Sequence, residues 1–289
     1  MEENKTNINW FPGHMAKTMR QIRDKLNLVD AVIEVLDARC PKSSINNALK
    51  ELIKDKPLLF VLNKSDMSDP LQNELWLKEL NKETITVLVD SINGKDTIGT
   101  IEKALETLLE TKIKKDKELG KLTYPIKVMV TGIPNSGKST LMNSLAKRKA
   151  LSTGDKPGVT KNQQYLKVSE KLLMLDNPGI LWPKFENQNQ AKLLSLIGSI
   201  KDEIVPINYV SFYGIELIKE LYPTYLINRY KLSDLDQDSE SILLEIGKKR
   251  GAIKKGGEID FDKACDIFIK DLRGGRLGRM TLERIDRPL

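Results

Sequence analysis

Apolar positions fall in two regimes along this chain. Through roughly the first two-thirds, short unbroken apolar runs alternate with stretches of helical spacing. Met15, Met19, Ile22 and Leu26 share one face of an amphipathic helix. Asp30 to Asp37 reads as a strand, followed by a helix through Ile45, Leu49, Leu52 and Ile53. Pro57 to Leu62 is apolar throughout, as expected of a strand covered on both faces. Asp69-Pro70 offers a cap and a first-turn proline for a helix carrying Leu71 and Leu75. Thr84 to Val89 is the next strand, and residues 98–120 read as one covering helix that turns lysine-rich. Ile126 to Thr131 is a strand, followed by a helix marked by Leu141 and Leu145. Residues 151–162, rich in Gly, Thr, Lys and Pro, show no period and read as a loop. Strands near Tyr165–Val168 and Lys171–Leu175 close this region.

From about Asn187 the pattern is helical only: Leu193/Leu194/Ile197, Leu217/Ile218/Leu221, Ile242/Leu243/Ile246 and Ile267/Phe268/Leu272. Alternating strands and helices predict an α/β fold with a doubly wound, mostly parallel sheet, here joined to a smaller all-α domain. The expected division is 1–186 and 187–289, with no internal repeat. Of the 289 residues, 40% are hydrophobic, enough for a core and against wholesale disorder. A net charge of +7 points to an anionic partner, nucleic acid or a membrane surface; a merely lysine-rich soluble protein fits the charge equally well. Cys40 and Cys265 have no metal-ligand spacing and are too few for a disulfide framework, which suits a reduced compartment. Met1 to Lys5 is polar with no apolar signal core, and no run approaches the roughly 20 apolar residues of a membrane span. A cytoplasmic, monomeric protein is expected.

Two motifs carry the chemistry. Gly132-Ile-Pro-Asn-Ser-Gly137-Lys138-Ser139 matches the phosphate-binding loop in full, after a strand and before a helix. Its glycines let backbone N–H groups surround a β-phosphate, Lys138 reaches the β- and γ-phosphates, and Ser139 binds Mg²⁺. Asn135, Ser136, Gly137, Lys138, Ser139 and Thr140 form the expected phosphate-binding set. Asn63-Lys64-Ser65-Asp66 follows a buried strand. Asp66 can accept from guanine N1–H and the exocyclic amine, whereas adenine would leave the carboxylate unpaired. Asn63 would brace the base and Lys64 cover its ring. Ser91 opens a polar segment that is either a second guanine loop or an ordinary turn. Asp176-Asn-Pro-Gly179 follows the last strand: Asp176 would hold Mg²⁺ through water, and the Gly179 N–H would contact the γ-phosphate. Thr160 is preferred over Thr153 as the threonine that closes on Mg²⁺ and γ-phosphate. Ile180 stands where a water-positioning glutamine is usual. His14, the single histidine, is either a water-orienting group or a surface side chain.

The tetrad precedes the phosphate loop, the reverse of the usual order, so a Ras-like fold must be circularly permuted to clasp one nucleotide. The order, together with Trp10-Phe-Pro-Gly-His-Met-Ala-Lys17 and Asp176-Asn-Pro-Gly-Ile-Leu-Trp-Pro-Lys184, resembles the circularly permuted GTPases of the YlqF/YawG group, and within it the ribosome-biogenesis branch. The likeness extends over nearly the whole chain, including Gly247-Lys-Lys-Arg-Gly251 and Gly256-Gly257. It implies a GTP-hydrolysing factor that binds large-subunit precursors, rRNA and ribosomal proteins, turns over slowly alone, and leaves on hydrolysis. It also implies that His14 is catalytic and that Asn135 serves a K⁺ ion at the β–γ bridge, although asparagine is also an ordinary turn former. Asn177 departs from the threonine usual in the group. Lys248, Lys249, Arg250, Lys254, Lys255, Arg276 and Arg279 are the expected contacts to RNA phosphates, the alternative being a solvated charged face. A nucleotide-regulated placeholder on RNA, or an ATP-dependent phosphotransferase, are the rival readings; Asp66 opposes the second. No lipidation signal or basic amphipathic helix supports a membrane partner.

Overall fold

A computed structural model of the chain describes residues 14–54, 56–94, 96–121, 123–153, 165–176 and 187–286. The apolar runs become β1 (Ala31–Asp37), β2 (Leu58–Asn63), β3 (Thr86–Leu88), β4 (Ile126–Gly132), β5 (Tyr165–Lys167) and β6 (Leu172–Asp176). They form one sheet in the order β3-β2-β1-β4-β6-β5, parallel except for the antiparallel β5–β6 pair. Strand side chains alternate between faces. Ile33, Val35, Leu59, Val61 and Val130 therefore meet α4 (Thr97–Leu108) and α6 (Lys138–Thr153) on one side. Val32 and Met129 meet α1 (His14–Lys25) and α2 (Asn47–Ile53) on the other. Leu36, Phe60 and Leu62 pack beside them against Trp76 and Leu80 of α3 (Pro70–Leu80). The parallel arrangement brings the carboxyl ends of β1, β2 and β4 to one edge, where open α/β sheets hold their ligands.

Two elements differ from the periodicity. Asp69 caps α3 as expected, accepting from Leu71 and Gln72 N–H, but Leu71 is 72% exposed and the buried face is Gln72, Asn73, Trp76 and Leu80. The inward polar residues are bonded: Asn73 Oδ1 accepts from Ser68 Oγ, and Gln72 contacts the end of the chain. The covering helix over 98–120 is two helices, α4 and α5 (Glu110–Glu118), which meet at Leu109. Ile101, Ala104, Leu105 and Leu109 bind the first to the sheet, whereas α5 buries nothing.

Past residue 186 come α7 (Gln188–Leu196), α8 (Ile207–Leu221), α9 (Pro223–Tyr230), α10 (Ser239–Lys249) and α11 (Phe261–Arg273). The short α9, started by Pro223, escaped the sequence pattern. Their core, around Leu194, Ile215, Ile218, Ile242, Ile246 and Phe268, also takes in Cys40 and Ile133 from the sheet's carboxyl edge. No described helix is long and apolar enough to cross a membrane. After α11 the chain doubles back over the sheet edge. Met280 N donates to Met67 O at 3.0 Å and Leu282 N to Arg39 O at 2.8 Å. Trp76 Nε1 donates to Glu283 O at 2.7 Å.

Glu34, in the middle of β1, is fully buried; Oε1 accepts from Asn46 N at 2.8 Å, and Oε2 finds no hydrogen-bond partner among the described residues. Burial pushes this carboxyl up to about 8 from its ordinary 4.5, with partial offset from the Asn46 N–H and Lys50. The folded state therefore holds a proton that the unfolded chain releases. The resulting stability is complete below 4.5 and is lost as pH rises toward 8. Glu34→Gln keeps the shape without the proton. Urea unfolding should show wild-type stability falling by a few kcal/mol from about pH 5 to about pH 8 and a much flatter profile in the variant. Equal slopes would refute the assignment.

Candidate functional site

β4 ends at Gly132, the loop curls through Ile133 to Ser136, and α6 begins at Lys138. The curl needs positive φ at Asn135 (59°) and Gly137 (94°). A Cβ on Gly137 would lie 2.3 Å from Asn63 Nδ2, so this position must be bare for the two motifs to meet. Lys138 is buried and lies back across the loop, its Nζ donating to Ile133 O at 3.3 Å. Ser139 and Thr140 stand exposed in the first turn of α6, where aligned N–H groups favour an anion. Asp176 closes β6, its backbone in register with Val130 of β4. Ser139 and Asp176 thus come from adjacent elements at the same edge. Their oxygen chemistry suits a hard cation such as Mg²⁺. The side chain of Asp176, and Thr160 and Gly179, lie outside the described residues.

The tetrad extends from β2 toward that loop. Asn63 is buried; its Nδ2 donates to Ser136 O at 3.0 Å and its Oδ1 accepts from Ser91 Oγ at 2.6 Å. Lys64 has φ of 62° and its Nζ donates to Asp37 Oδ2 at 2.8 Å and also to Asn135 O. Its stem thereby bridges the tetrad and the phosphate loop. Asp66 is exposed, available to a ligand. Partial burial and the negative charge of Asp90 push its carboxyl up, against the pull of Arg279 and Arg39. The Ser91 segment braces Asn63, but Ile92 and Asn93 N–H donate to Asp90 Oδ1 at 2.8 and 2.9 Å. In this structure those two amides form a turn rather than point at a base.

Sequence reasoning passed over Asp37. It is fully buried where β1 ends, and Arg39, buried beside it, donates Nε to Oδ1 at 3.0 Å and Nη2 to Oδ2 at 2.8 Å. Arg39 Nη1 reaches Arg273 O at 3.2 Å, at the end of α11. Burial alone would raise the Asp37 carboxyl, but Arg39 and Lys64 hold it well below the usual carboxylate range. The available signal was an acidic residue ending an otherwise apolar strand, with arginine two positions on.

The helical region touches the phosphate loop directly. Asn135 Nδ2 donates to Gly198 O at 2.6 Å, and Ser199 Oγ to Pro134 O at 2.8 Å. The Asn135 amide nitrogen is thus engaged, and its carbonyl oxygen is the atom that could face K⁺. His14 opens α1, and its side chain lies outside the described residues.

The basic residues separate by position. Lys249, Arg250 and Arg276 converge with Arg229 and Lys231, which the sequence pattern did not single out, on an open groove of about 740 Å³ that Tyr230 also lines. Arg250 lies 5.3 Å from the Tyr230 ring centroid. Asp271 partly neutralises the groove, bonding Arg229 at 2.8 Å and Arg276 at 3.3 Å. Lys248, Lys254 and Lys255 are exposed outside this lining. Arg279 faces the guanine tetrad instead, donating to Ser65 O and Ser68 O at 2.8 and 3.0 Å.

Residues 127–246 match the family model described as 50S ribosome-binding GTPase. Ribosome biogenesis GTPase A of Bacillus licheniformis is 42% identical over 96% of this chain and 98% of its own length. The Bacillus cereus protein of the same name is 44% identical over 96% and 93%. Among solved structures, GNP-bound YlqF from T. maritima superposes with a TM-score of 0.68 at 25% identity, covering 93% of this chain and 98% of that one.

Asp37→Asn would leave Arg39 buried without its counter-charge and release Lys64. Removing one partner of such a pair should cost about 3 kcal/mol in urea unfolding at neutral pH. The Asp37 carboxyl is depressed, so the wild-type advantage exists above its ordinary 3.8 and shrinks as pH falls below it. An advantage that persists undiminished in acid would count against the charge network.

Proposed function

This chain belongs to the ribosome biogenesis GTPase A family, and from that premise we propose that it is an assembly factor for the large ribosomal subunit. It binds precursor particles with GTP, hydrolyses GTP to GDP and phosphate, and then departs. The interlock of tetrad and phosphate loop carries this reading: Asn63 Nδ2 donates to Ser136 O, and Lys64 spans to Asn135 O, so the two motifs meet at one sheet edge. Residues 1–186 serve as the permuted nucleotide domain and 187–289 as the RNA-contacting domain. The protein works in the cytoplasm as a monomer.

Asp66 reads the guanine edge, Asn63 and Ser91 hold it in place, and Lys138 with the loop amides takes the phosphates. Mg²⁺, held by Ser139, Thr160 and, through water, Asp176, would neutralise charge on the β- and γ-phosphates. K⁺ near Asn135 would add positive charge at the bridging oxygen. His14 orients the attacking water, the task that Ile180 cannot perform. Gly179 contacts the γ-phosphate, and the chain then runs from it into the helices, so departure of that phosphate loosens the grip on RNA. Phosphates of rRNA occupy the groove of Arg229, Lys231, Lys249, Arg250 and Arg276.

The rival reading, a placeholder whose hydrolysis is dispensable, separates in one experiment. His14→Ala should bind GTP normally and co-sediment with large-subunit precursors, but in single-turnover assays lose particle-stimulated hydrolysis and stay bound. Undiminished turnover would remove His14 from catalysis; normal release without turnover would favour the placeholder. Replacing Lys249, Arg250 and Arg276 together with glutamate should weaken particle binding. It should also make log affinity against log salt shallower by roughly one for each RNA phosphate that is no longer neutralised. An unchanged salt slope would move the RNA elsewhere on the surface.

A further inference from the structure

We propose that Arg279 is a positioning residue for guanine recognition: the end of the chain clamps the loop that carries Asp66. The inference rests on the reading of Asp66 as the guanine-binding carboxylate. The loop over residues 65–68 leaves β2 without entering a helix, so its carbonyls need donors from elsewhere. The end of the chain supplies them. Arg279 Nη2 donates to Ser65 O at 2.8 Å, Arg279 Nε to Ser68 O at 3.0 Å, and Met280 N to Met67 O at 3.0 Å. The carbonyls on both sides of Asp66 are therefore fixed by residues more than two hundred positions away. Farther along the same loop, Asp69 N donates to Thr281 Oγ1 at 3.2 Å, and Tyr222 OH to Asp69 Oδ2 at 3.1 Å.

The clamp has a built seat. Tyr222 and Tyr225 stack with ring centroids 5.2 Å apart. Tyr222 OH accepts from Thr281 N at 3.0 Å, and Tyr225 OH donates to Arg279 O at 3.1 Å. Gly278 has φ of 142°, and a Cβ there would come within 2.6 Å of the Tyr225 ring. Only a bare backbone passes flat across the tyrosines and delivers the next residue to the loop. The fork of Arg279 spans two carbonyls at once, a geometry a lysine ammonium does not reproduce. Its charge also favours the ionised Asp66 that guanine requires.

Guanine offers Asp66 both N1–H and the exocyclic amine; hypoxanthine offers N1–H only. Loosening the loop should therefore penalise GDP more than IDP. Affinities for GDP and IDP are compared for the full-length protein, Arg279→Gln, Arg279→Lys and Asp66→Asn. Arg279→Gln should bind GDP about tenfold more weakly and lose most of the GDP-over-IDP preference, with Arg279→Lys intermediate. Equal weakening for both nucleotides, or no change, would overturn the clamp. If Arg279→Gln fails to fold, an unchanged ratio in Arg279→Lys overturns it equally. An unchanged ratio in Asp66→Asn would instead defeat the guanine reading itself, and a loss confined to Asp66→Asn would defeat only the clamp.

Discussion

The carboxylate of Asp37 is the constraint on which the nucleotide edge depends. A charge at the end of a fully buried strand is costly unless it is compensated on every side. Here Arg39 occupies both oxygens and Lys64 shares one, while Arg39 passes on to Arg273 O at the end of α11. A single anion thereby fixes the relation of β1, the guanine tetrad and the helical region. None of these pieces can drift without stranding a buried charge.

This arrangement ties the helical region to the sheet edge. The phosphate loop is tied to the helices through Asn135 and Ser199, and the guanine loop through Arg279, Met280 and Thr281. Both loops at the nucleotide edge are thus held by residues from beyond the sheet. Arg276 lines the groove three residues before Arg279 reaches the tetrad loop.

Much of the sheet could be read in advance because parallel strands buried on both faces leave unbroken apolar runs, as from Leu58 to Leu62. The motifs were equally legible, since phosphate chemistry demands Gly, Lys and Ser at fixed spacing. What escaped reading depends on residues distant in sequence. The leucines of α3 looked like its inner face, yet Gln72 and Asn73 point inward because the chain end and Ser68 meet them there. A basic cluster cannot announce which members face solvent: Arg279 and Arg276 look alike in sequence, and one turned toward the tetrad while the other lines the groove. Asp37 went unnoticed because an acid after an apolar run resembles any strand end, until Arg39 and Lys64 close over it.

The distance in sequence between the guanine loop and its clamp has a consequence for biosynthesis. During translation β2 and the tetrad emerge early, but the donors for Ser65, Met67 and Ser68, on Arg279 and Met280, follow more than two hundred residues later. Contacts this remote form late, after the intervening chain has closed its loops. A nascent chain that has not yet released Arg279 and Met280 therefore lacks these donors to the loop of Asp66. The loop that carries Asp66 thus gains its outside support long after β2 has been made.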